Sequence, residues 1–276
     1  MVGPTSEAYG RKIMITRTSI AILFLWALLA LFGDMINLTP NEVNLESILA
    51  PMGDGSVFGY DDLGRPVFDR LVVGAKTSFV VAVCVVGISL LVGTVVGTIS
   101  AWIGGWLDHV IVCLIDVFLA FPGILLAIVL AGILGPGIEN VIVALSVVGW
   151  VGYARLARAQ TLSLREREHI QAATLLGVRP HVIMWRHVIP LISAPLIVEA
   201  SFGVAGVVVA EAGLSFLGLG VQPPAASWGS MIRDGIGYLL VSPHLVVVPS
   251  VALALVVLSV NLLGDRLRDL LDIHTN

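Results

Sequence analysis

Residues 155–190 of this chain read RLARAQTLSLREREHIQAATLLGVRPHVIMWRHVIP, a basic stretch with long apolar stretches on both sides. Six of the fifteen Lys and Arg residues of the protein lie within it. Its mixture of apolar and charged positions is typical of surface helices rather than of an irregular connector. The stretch therefore predicts a docking surface on the cytoplasmic side of a membrane protein.

The composition of the whole chain agrees with a membrane location. Of its 276 residues, 57% are apolar and 12% are charged, whereas soluble domains carry roughly 25% charged residues. The two Cys residues give no disulfide framework, and neither they nor the six His residues have metal-ligand spacing. We expect no metal site, no cofactor and no nucleic-acid partner for this chain.

Six stretches are long and apolar enough to span a bilayer, which takes about 20 residues. They are residues 18–36, 79–103, 110–134, 138–157, 191–213 and 243–264. No small-x-small cleavage site follows the first stretch, so we interpret it as a retained anchor. The sequence thus predicts an all-α, polytopic membrane protein with six transmembrane helices.

Basic residues predict the orientation, because cytoplasmic loops carry an excess of Lys and Arg. With the N-terminus inside, eleven basic residues fall inside and four fall outside. The reverse orientation would invert that ratio. Both termini and residues 155–190 are therefore predicted to be cytoplasmic, at the plasma membrane.

Local patterns predict details of the second and third spans. Ser89, Gly93, Gly97 and Ala101 recur at every fourth position, which favours close packing of one helix against another. Pro122 removes a backbone hydrogen bond in the third span and predicts a bend just before it.

Residues 37–78 form the main outer segment, which is acidic. Pro66 suits a first helical position, and the residues after it, from Val67 to Val72, form one apolar stripe. Two interpretations are open. The stripe belongs to a helix that lies along the membrane interface, or to a helix that anchors the second span, and we favour the anchor.

The basic stretch is predicted to contain two short helices. Ser163 and Glu166 fit the capping-box pattern, so the first helix should begin there and continue to Leu176. Gly177 is a natural helix terminator, and Pro180 can open a second helix.

One face of the first helix should be apolar, because Ile170, Ala173 and Leu176 share it. Gln171 and the small Gly177 leave room for another protein to approach closely. Two interpretations of this helix pair remain open. The helices lie on anionic lipid headgroups, or they fit a cleft in a soluble partner.

Acidic residues inside or next to the predicted spans are candidates for function. Asp116 and Glu199 would each cost about 2.5–3.5 kcal/mol if charged and lipid-facing at the bilayer centre. They line a wet pathway, pair with a basic residue at headgroup level, or stay protonated. Near the outer end of the fifth span, Glu211 and Phe216 mark an outer gate or receptor contact, or else a plain interfacial turn.

The end of the basic stretch resembles a known motif. QAATLLG, followed after nine residues by HVIP, resembles the EAA loop of ATP-binding-cassette importer permeases. The matching positions are Ala172, Ala173, Gly177 and Pro190. Gln171 stands where Glu is usual, which removes a charge that could pair with the ATPase, and His187 and Ile189 replace Ile and Leu.

Three further blocks resemble the dipeptide/oligopeptide branch of these permeases. They are FGYDDLGRPVFDRLVVGAKTSF from Phe58, AEAGLSFLGLGVQPPAASWG from Ala210, and NLLGDRLRDLLD from Asn261. Pro66 stands where Asp is expected. Over residues 55–272 the chain therefore resembles the C-type permease subunit of that branch.

This resemblance implies a type I importer permease fold and a division of the chain into three parts. Residues 1–74 hold the N-terminus, the first span and the outer segment; residues 75–264 form the permease core; residues 265–276 form a cytoplasmic tail. Within the loop of residues 160–190, the resemblance assigns ATPase coupling to Gln171, Ala172, Ala173, Gly177 and Pro190.

The resemblance also implies partners. A homologous permease subunit completes the pathway for dipeptides, oligopeptides or similar solutes, and an extracytoplasmic solute-binding protein delivers the cargo. ATP and Mg²⁺ are expected on a cytoplasmic ATPase of two chains or one fused chain, because this sequence has no phosphate-loop spacing of its own. The expected setting is the plasma membrane of a prokaryote.

Other functions remain possible from the sequence. The cargo of such a permease could be a metal chelate instead of a peptide. A secondary transporter driven by an ion gradient would use Asp116 and Glu199 as proton carriers. A membrane scaffold would need no pathway, and its spans should lack acids and hinge prolines.

Overall fold

The structure, a computed structural model, describes residues 6–272, with side chains for residues 14–271. Both chain termini, which the sequence predicts to be cytoplasmic, lie outside that range. The described residues are mainly helical and contain no β-strand. The helices are α1 (Ser6–Phe32), α2 (Val67–Ile103), α3 (Gly105–Leu119), α4 (Gly123–Leu134), α5 (Ile138–Arg165), α6 (Glu168–Leu175), α7 (Pro180–Ile183), α8 (Ile189–Phe216), α9 (Trp228–Ile236) and α10 (His244–Asp272).

Five continuous stretches are long and apolar enough to cross a bilayer. They are Met14–Met35, Val67–Ile103, Ile138–Arg165, Pro180–Phe216 and His244–Leu271. Five of the six predicted spans are thereby confirmed, although their ends lie some residues from the predicted boundaries. The chain is a multi-pass membrane protein, with helices that are apolar over most of their length.

The third predicted span is a bent pair of helices instead of one helix. α3 and α4 meet at 88°. Pro122 lies between them; it has no N–H to donate, and its ring disfavours a helical conformation at Phe121. The bend is where the sequence predicts it, but it is sharp enough that the structure has six spans only if the pair counts as one.

The second span is longer than predicted. α2 runs for 37 residues, which is about 55 Å at 1.5 Å per residue. Val67 and Val72 are at most 2% exposed, and Trp228 Nε1 donates a hydrogen bond to Leu71 O at 3.0 Å. The apolar stripe after Pro66 therefore meets protein, and it forms the first turns of α2 as the anchoring interpretation predicts.

α2 and α5 pack closely through small residues. A Cβ atom added to Gly97 would lie 2.2 Å from Ala154 O, and one added to Gly93 would lie 2.4 Å from Trp150 O. Both distances are far below van der Waals contact. The predicted packing stripe is thus confirmed, and glycine is required at these two positions because the backbone of the neighbouring helix occupies the space.

A group of buried ion pairs and hydrogen bonds lies at the end of the molecule where α2 and α10 begin. There Asp61 accepts a hydrogen bond from Arg65 Nε at 2.7 Å and lies 3.5 Å from Arg70 Nε, and all three residues are at most 8% exposed. Trp26 Nε1 on α1 donates to Ala75 O on α2 at 3.1 Å. These contacts tie residues 33–66 and α1 to the first turns of α2.

Candidate functional sites

The basic stretch begins differently from its prediction. Ser163 lies inside α5, which continues to Arg165, and the N-cap of α6 is Arg167. The predicted capping box is therefore wrong. Leu164 supplies the reason: its side chain is 5% exposed and packs in the core, so that a further turn of α5 buries more apolar surface than a new helix start would.

The end of α6 agrees with its prediction. Gly177 has a φ of +75°, in the left-handed region where other residues are strained. Its N–H donates to Thr174 O at 3.0 Å, and Val178 N–H donates to Ala173 O at 3.1 Å. These bonds satisfy the last carbonyl groups of α6, so Gly177 terminates the helix as predicted.

α7 begins at Pro180 as predicted, but it is not a separate helix. A π-helical turn, Met184–Val188, joins it directly to α8, and the whole stretch Pro180–Phe216 qualifies as one span. Ile183 and Val188 are fully buried. α6 is therefore attached through one short turn to the end of a long, packed helix.

α6 has one buried face and an exposed tip. Ile170 is 2% exposed and packs in a core cluster with Ile183, and Ala173 is half-buried against the same cluster. Leu175 and Leu176 are 88% and 83% exposed. The prediction that Leu176 shares the buried face is wrong, because α6 ends at Leu175 and the chain turns away there.

The five predicted coupling residues are divided between two helices. Gln171, Ala172 and Gly177 are exposed on α6 or its C-terminal turn, and Ala173 faces the core. Pro190 is exposed in the first turn of α8, beyond the π-helical turn. The structure therefore gathers the first four residues of the motif, while its proline belongs to the attached span.

The exposed leucines of α6 were missed by the motif, which specifies only the residue types before and after them. Leu175 lines a cleft of about 460 Å³ together with Gln171, Trp102 and Arg165. Arg165 Nη1 donates to Ala101 O at 2.5 Å, and its guanidinium carbon lies 5.9 Å from the centre of the Trp102 ring. The cleft therefore lies between α6 and the contacts of Arg165 that join α5 to α2.

A second fastening lies beside this corner. Arg158 on α5 donates two hydrogen bonds of 2.7 Å to the carboxylate of Asp108 on α3, and Ser100 Oγ on α2 donates a third of 2.7 Å. In the sequence, Arg158 stands out only as one of the inside charges, because its partner is fifty residues away in the chain. This three-helix cluster holds the first turn of α3 against α2 and α5.

A cavity of about 270 Å³ lies between α2, α4, α5 and α8. Its walls are mostly glycine and aliphatic residues, and Glu199 on α8 is its one charged lining residue. A Cβ atom added to Gly152 of α5 would lie 3.8 Å from Glu199 Oε1. The predicted pathway residue Glu199 is an exposed residue that lines a cavity between helices long and apolar enough to span a bilayer.

The other predicted pathway residue is placed elsewhere. Asp116 is exposed on α3 and is not among the residues that line this cavity. The structure thus separates Asp116 from Glu199.

Glu211 is buried at 1% exposure near the C-terminal end of α8. Its carboxylate accepts hydrogen bonds from Ser215 Oγ at 2.7 Å and from Ser78 Oγ of α2 at 3.0 Å. Phe216, at the end of the same helix, is 38% exposed. Glu211 therefore joins two helices inside the protein, and Phe216 is the one of the pair that is accessible.

A comparison with known protein families extends these observations. Residues 93–275 match the model of the family described as "Binding-protein-dependent transport system inner membrane component". That range includes α6, both walls of the cavity formed by α5 and α8, and the segment with Glu211.

Individual relatives cover still more of the chain. The dipeptide transport system permease protein DppC of Alkalihalophilus pseudofirmus is 37% identical over 274 residues, which are 98% of this chain and 90% of the relative. The glutathione transport system permease protein GsiD is 39% identical in Pectobacterium atrosepticum, over 78% of this chain and 71% of the relative. The Escherichia coli GsiD is 41% identical with the same coverage.

Proposed function

The chain belongs to the family of binding-protein-dependent transport system inner membrane components, in its peptide-importer branch, and from that premise we propose how it works. It is a permease subunit of an ATP-driven importer and forms the translocation pathway together with a homologous subunit. The observation that carries the proposal is the match to a dipeptide permease over 98% of the chain.

The cargo in this proposal is a dipeptide or oligopeptide. The relatives named above are permeases for dipeptides and for glutathione, which is itself a peptide. Neither a metal-chelate cargo nor an ion-driven transporter is favoured by these similarities. The cavity beside Glu199 supports the proposal, since a peptide needs a polar point of contact within an otherwise apolar path.

Coupling to the ATPase is assigned to α6 and the turn after it. Leu175 and Leu176 are almost fully exposed at its tip, and large exposed apolar side chains at one point favour a protein partner. On its other face, Ile170 is packed against the base of α8. A force exerted by the ATPase on Leu175 and Leu176 would therefore act directly on the beginning of the fifth span, without an intervening flexible loop.

The remaining partners follow from the same family. A solute-binding protein delivers the peptide, and hydrolysis of ATP with Mg²⁺ takes place on cytoplasmic ATPase subunits. Among the described residues, no group of three or more His, Cys, Asp or Glu side chains is arranged to hold a metal ion. As a transport component of its family, this chain contributes to the binding and movement of the cargo, and hydrolysis is left to the ATPase subunits.

The proposed orientation places α6 and both termini in the cytoplasm. Residues 33–66 and α9, at the opposite end, then face outward, where Phe216 is available to the binding protein or to an outer gate. We propose residues 75–264 as the permease core. α2 begins before residue 75 and α10 continues past residue 264, so both helices extend beyond that core.

Reconstitution tests this function directly. The complete importer, with both permease subunits, the ATPase and the binding protein, should take up a labelled dipeptide only when ATP is present. Removal of the ATPase should stop uptake while the permeases stay inserted in the vesicle. Uptake that continues without the ATPase and follows an imposed proton gradient would contradict the proposal.

A further inference from the structure

The cavity beside Glu199 has a distinctive set of polar groups. It is lined by sixteen residues, of which three carry an oxygen atom in the side chain and none carries a side-chain nitrogen. The three are Ser89 on α2, Tyr153 on α5 and Glu199 on α8. The residues that line the cavity therefore carry a carboxylate and two hydroxyl groups, and no positive charge.

Glu199 lacks an internal partner. Among the described side chains, residues 14–271, none forms an ion pair with it. It is the eleventh residue of α8, about 15 Å from the start of that helix at 1.5 Å per residue. Glu199 is an exposed residue of the chain within an apolar span, where an unpaired carboxylate is costly, so a positive charge from outside the chain would stabilise it.

The hydroxyl of Ser89 has a similar deficit. Its side chain is 1% exposed, and Ser89 Oγ has no hydrogen-bond partner. A Cβ atom added to Gly149 would lie 2.6 Å from this oxygen, so Ser89 Oγ packs closely against Gly149 of α5. A buried hydroxyl without a partner costs free energy unless a ligand supplies the missing hydrogen bond.

We infer that Glu199 and Ser89 form a subsite for the protonated α-amino group of a peptide in transit. An ammonium group has three N–H donors and no acceptor, and it is compact enough for a cavity walled by glycine. The α-amino group has a pKa of about 7.7–8.0, so it is mostly charged at neutral pH. The carboxylate end of the peptide finds no cation in this cavity and passes it unbound.

This inference rests on the proposed function, and the test separates the two. In the reconstituted importer, uptake of alanyl-alanine is compared with uptake of the analogue whose α-amino group is replaced by hydroxyl. Both are supplied with binding protein at concentrations that saturate the unaltered importer. Absence of ATP-dependent uptake by the unaltered importer would refute the proposed function, whatever the variants do.

Substitutions at Glu199 then address the subsite. We expect Glu199→Gln to lower the uptake of alanyl-alanine at least about tenfold and to leave uptake of the hydroxyl analogue unchanged, because only the ammonium loses an ionic partner. Glu199→Asp, which keeps the charge, should restore most of the preference. The binding protein is identical in all samples, so its own preference cancels in the comparison.

Glu139→Gln is the matched control, because Glu139 is an exposed carboxylate in the first turn of α5 and does not line the cavity. It should leave the uptake of both cargoes unaltered. If Glu199→Gln lowers both cargoes equally, or neither, the ammonium subsite is refuted. Size-exclusion chromatography of the assembled complex shows whether a loss of uptake comes instead from failed assembly. In that case Glu199→Asp decides the question. If this variant takes up alanyl-alanine and the hydroxyl analogue equally well, the subsite is refuted.

Discussion

The α2–α5 interface and the tip of α6 differ in what surrounds their side chains. At the interface, glycines of α2 lie against backbone atoms of α5 with no room for a single methyl group. At the tip, Leu175 and Leu176 contact almost nothing within the chain. Dense packing fixes the relative position of two helices, whereas exposed apolar side chains gain stability only from a second protein. The molecule thus combines a rigid frame with an exposed apolar tip, which we propose as the attachment surface for the ATPase.

The largest effect is expected where the frame is tightest. Gly97→Leu should destabilise the permease by at least about 3 kcal/mol, because the new side chain would overlap the backbone at Ala154 and neither helix can yield locally. Gly87→Leu, on the same helix with open space around it, is the control and should be tolerated. The yield of monodisperse protein on size-exclusion chromatography, and its thermal midpoint, measure both. Equal stability of the two variants would show that the interface is not the rigid part.

The attachment surface should give the next largest effect, without loss of folding. Leu175→Asp combined with Leu176→Asp should weaken binding of the ATPase at least about tenfold, because two apolar anchors become charged. Copurification of the tagged permease with its ATPase is the measurement. Leu240→Asp is the control, since Leu240 is 99% exposed at the opposite end of the molecule. If the double variant still holds the ATPase but no longer binds anionic vesicles, α6 is a lipid contact instead.

The third largest effect is expected for the hydrogen-bonded cluster of Asp108, Arg158 and Ser100. Asp108→Asn and Arg158→Gln should each destabilise the protein by about 1–3 kcal/mol, because each leaves a charge-assisted hydrogen bond unmade. The double variant should lose less than the sum of the two, which a double-mutant cycle on unfolding free energy would measure. Strict additivity would mean that the two side chains do not interact in the membrane-embedded protein.

The smallest effect is expected at a surface ion pair. Lys76 and Asp34 form a close contact, but their side chains are 43% and 66% exposed. Exposed pairs of this kind contribute about 0–1 kcal/mol. Lys76→Met should therefore shift the thermal midpoint by little compared with Arg158→Gln. A shift of equal size would mean that the contact is shielded from water by lipid or by a partner subunit.

Much of the fold could be predicted from the sequence, because a bilayer restricts the structures that an apolar stretch can form. Long apolar stretches are stable in a bilayer as helices, so five of the six spans are readable from hydropathy alone. Gly177 and Pro180 were also readable, because each acts through its own backbone restriction. The extent of α5 past Ser163 was not, since it depends on the burial of Leu164 by residues far away in the chain.

The candidate sites show the same limit. Glu199 could be singled out as a charge within an apolar span, and it lines the cavity. Asp116 is likewise a charged residue within an apolar stretch. It lies on α3, before the 88° bend between α3 and α4, and no sequence pattern specifies that angle. The bond between Arg158 and Asp108 joins residues fifty positions apart, and only the packing of α3 against α5 brings them together.

The length of α2 has a mechanical consequence. Near one end, Arg70 lies in a buried ion pair with Asp61, and near the other end Ser100 donates a hydrogen bond to Asp108. The helix between them has no break over about 55 Å, so we expect it to tilt as a single rod. A tilt of about 10° around its midpoint would carry each end about 5 Å in opposite directions. Such a tilt would link opening on one side of the membrane to closing on the other through α2 alone.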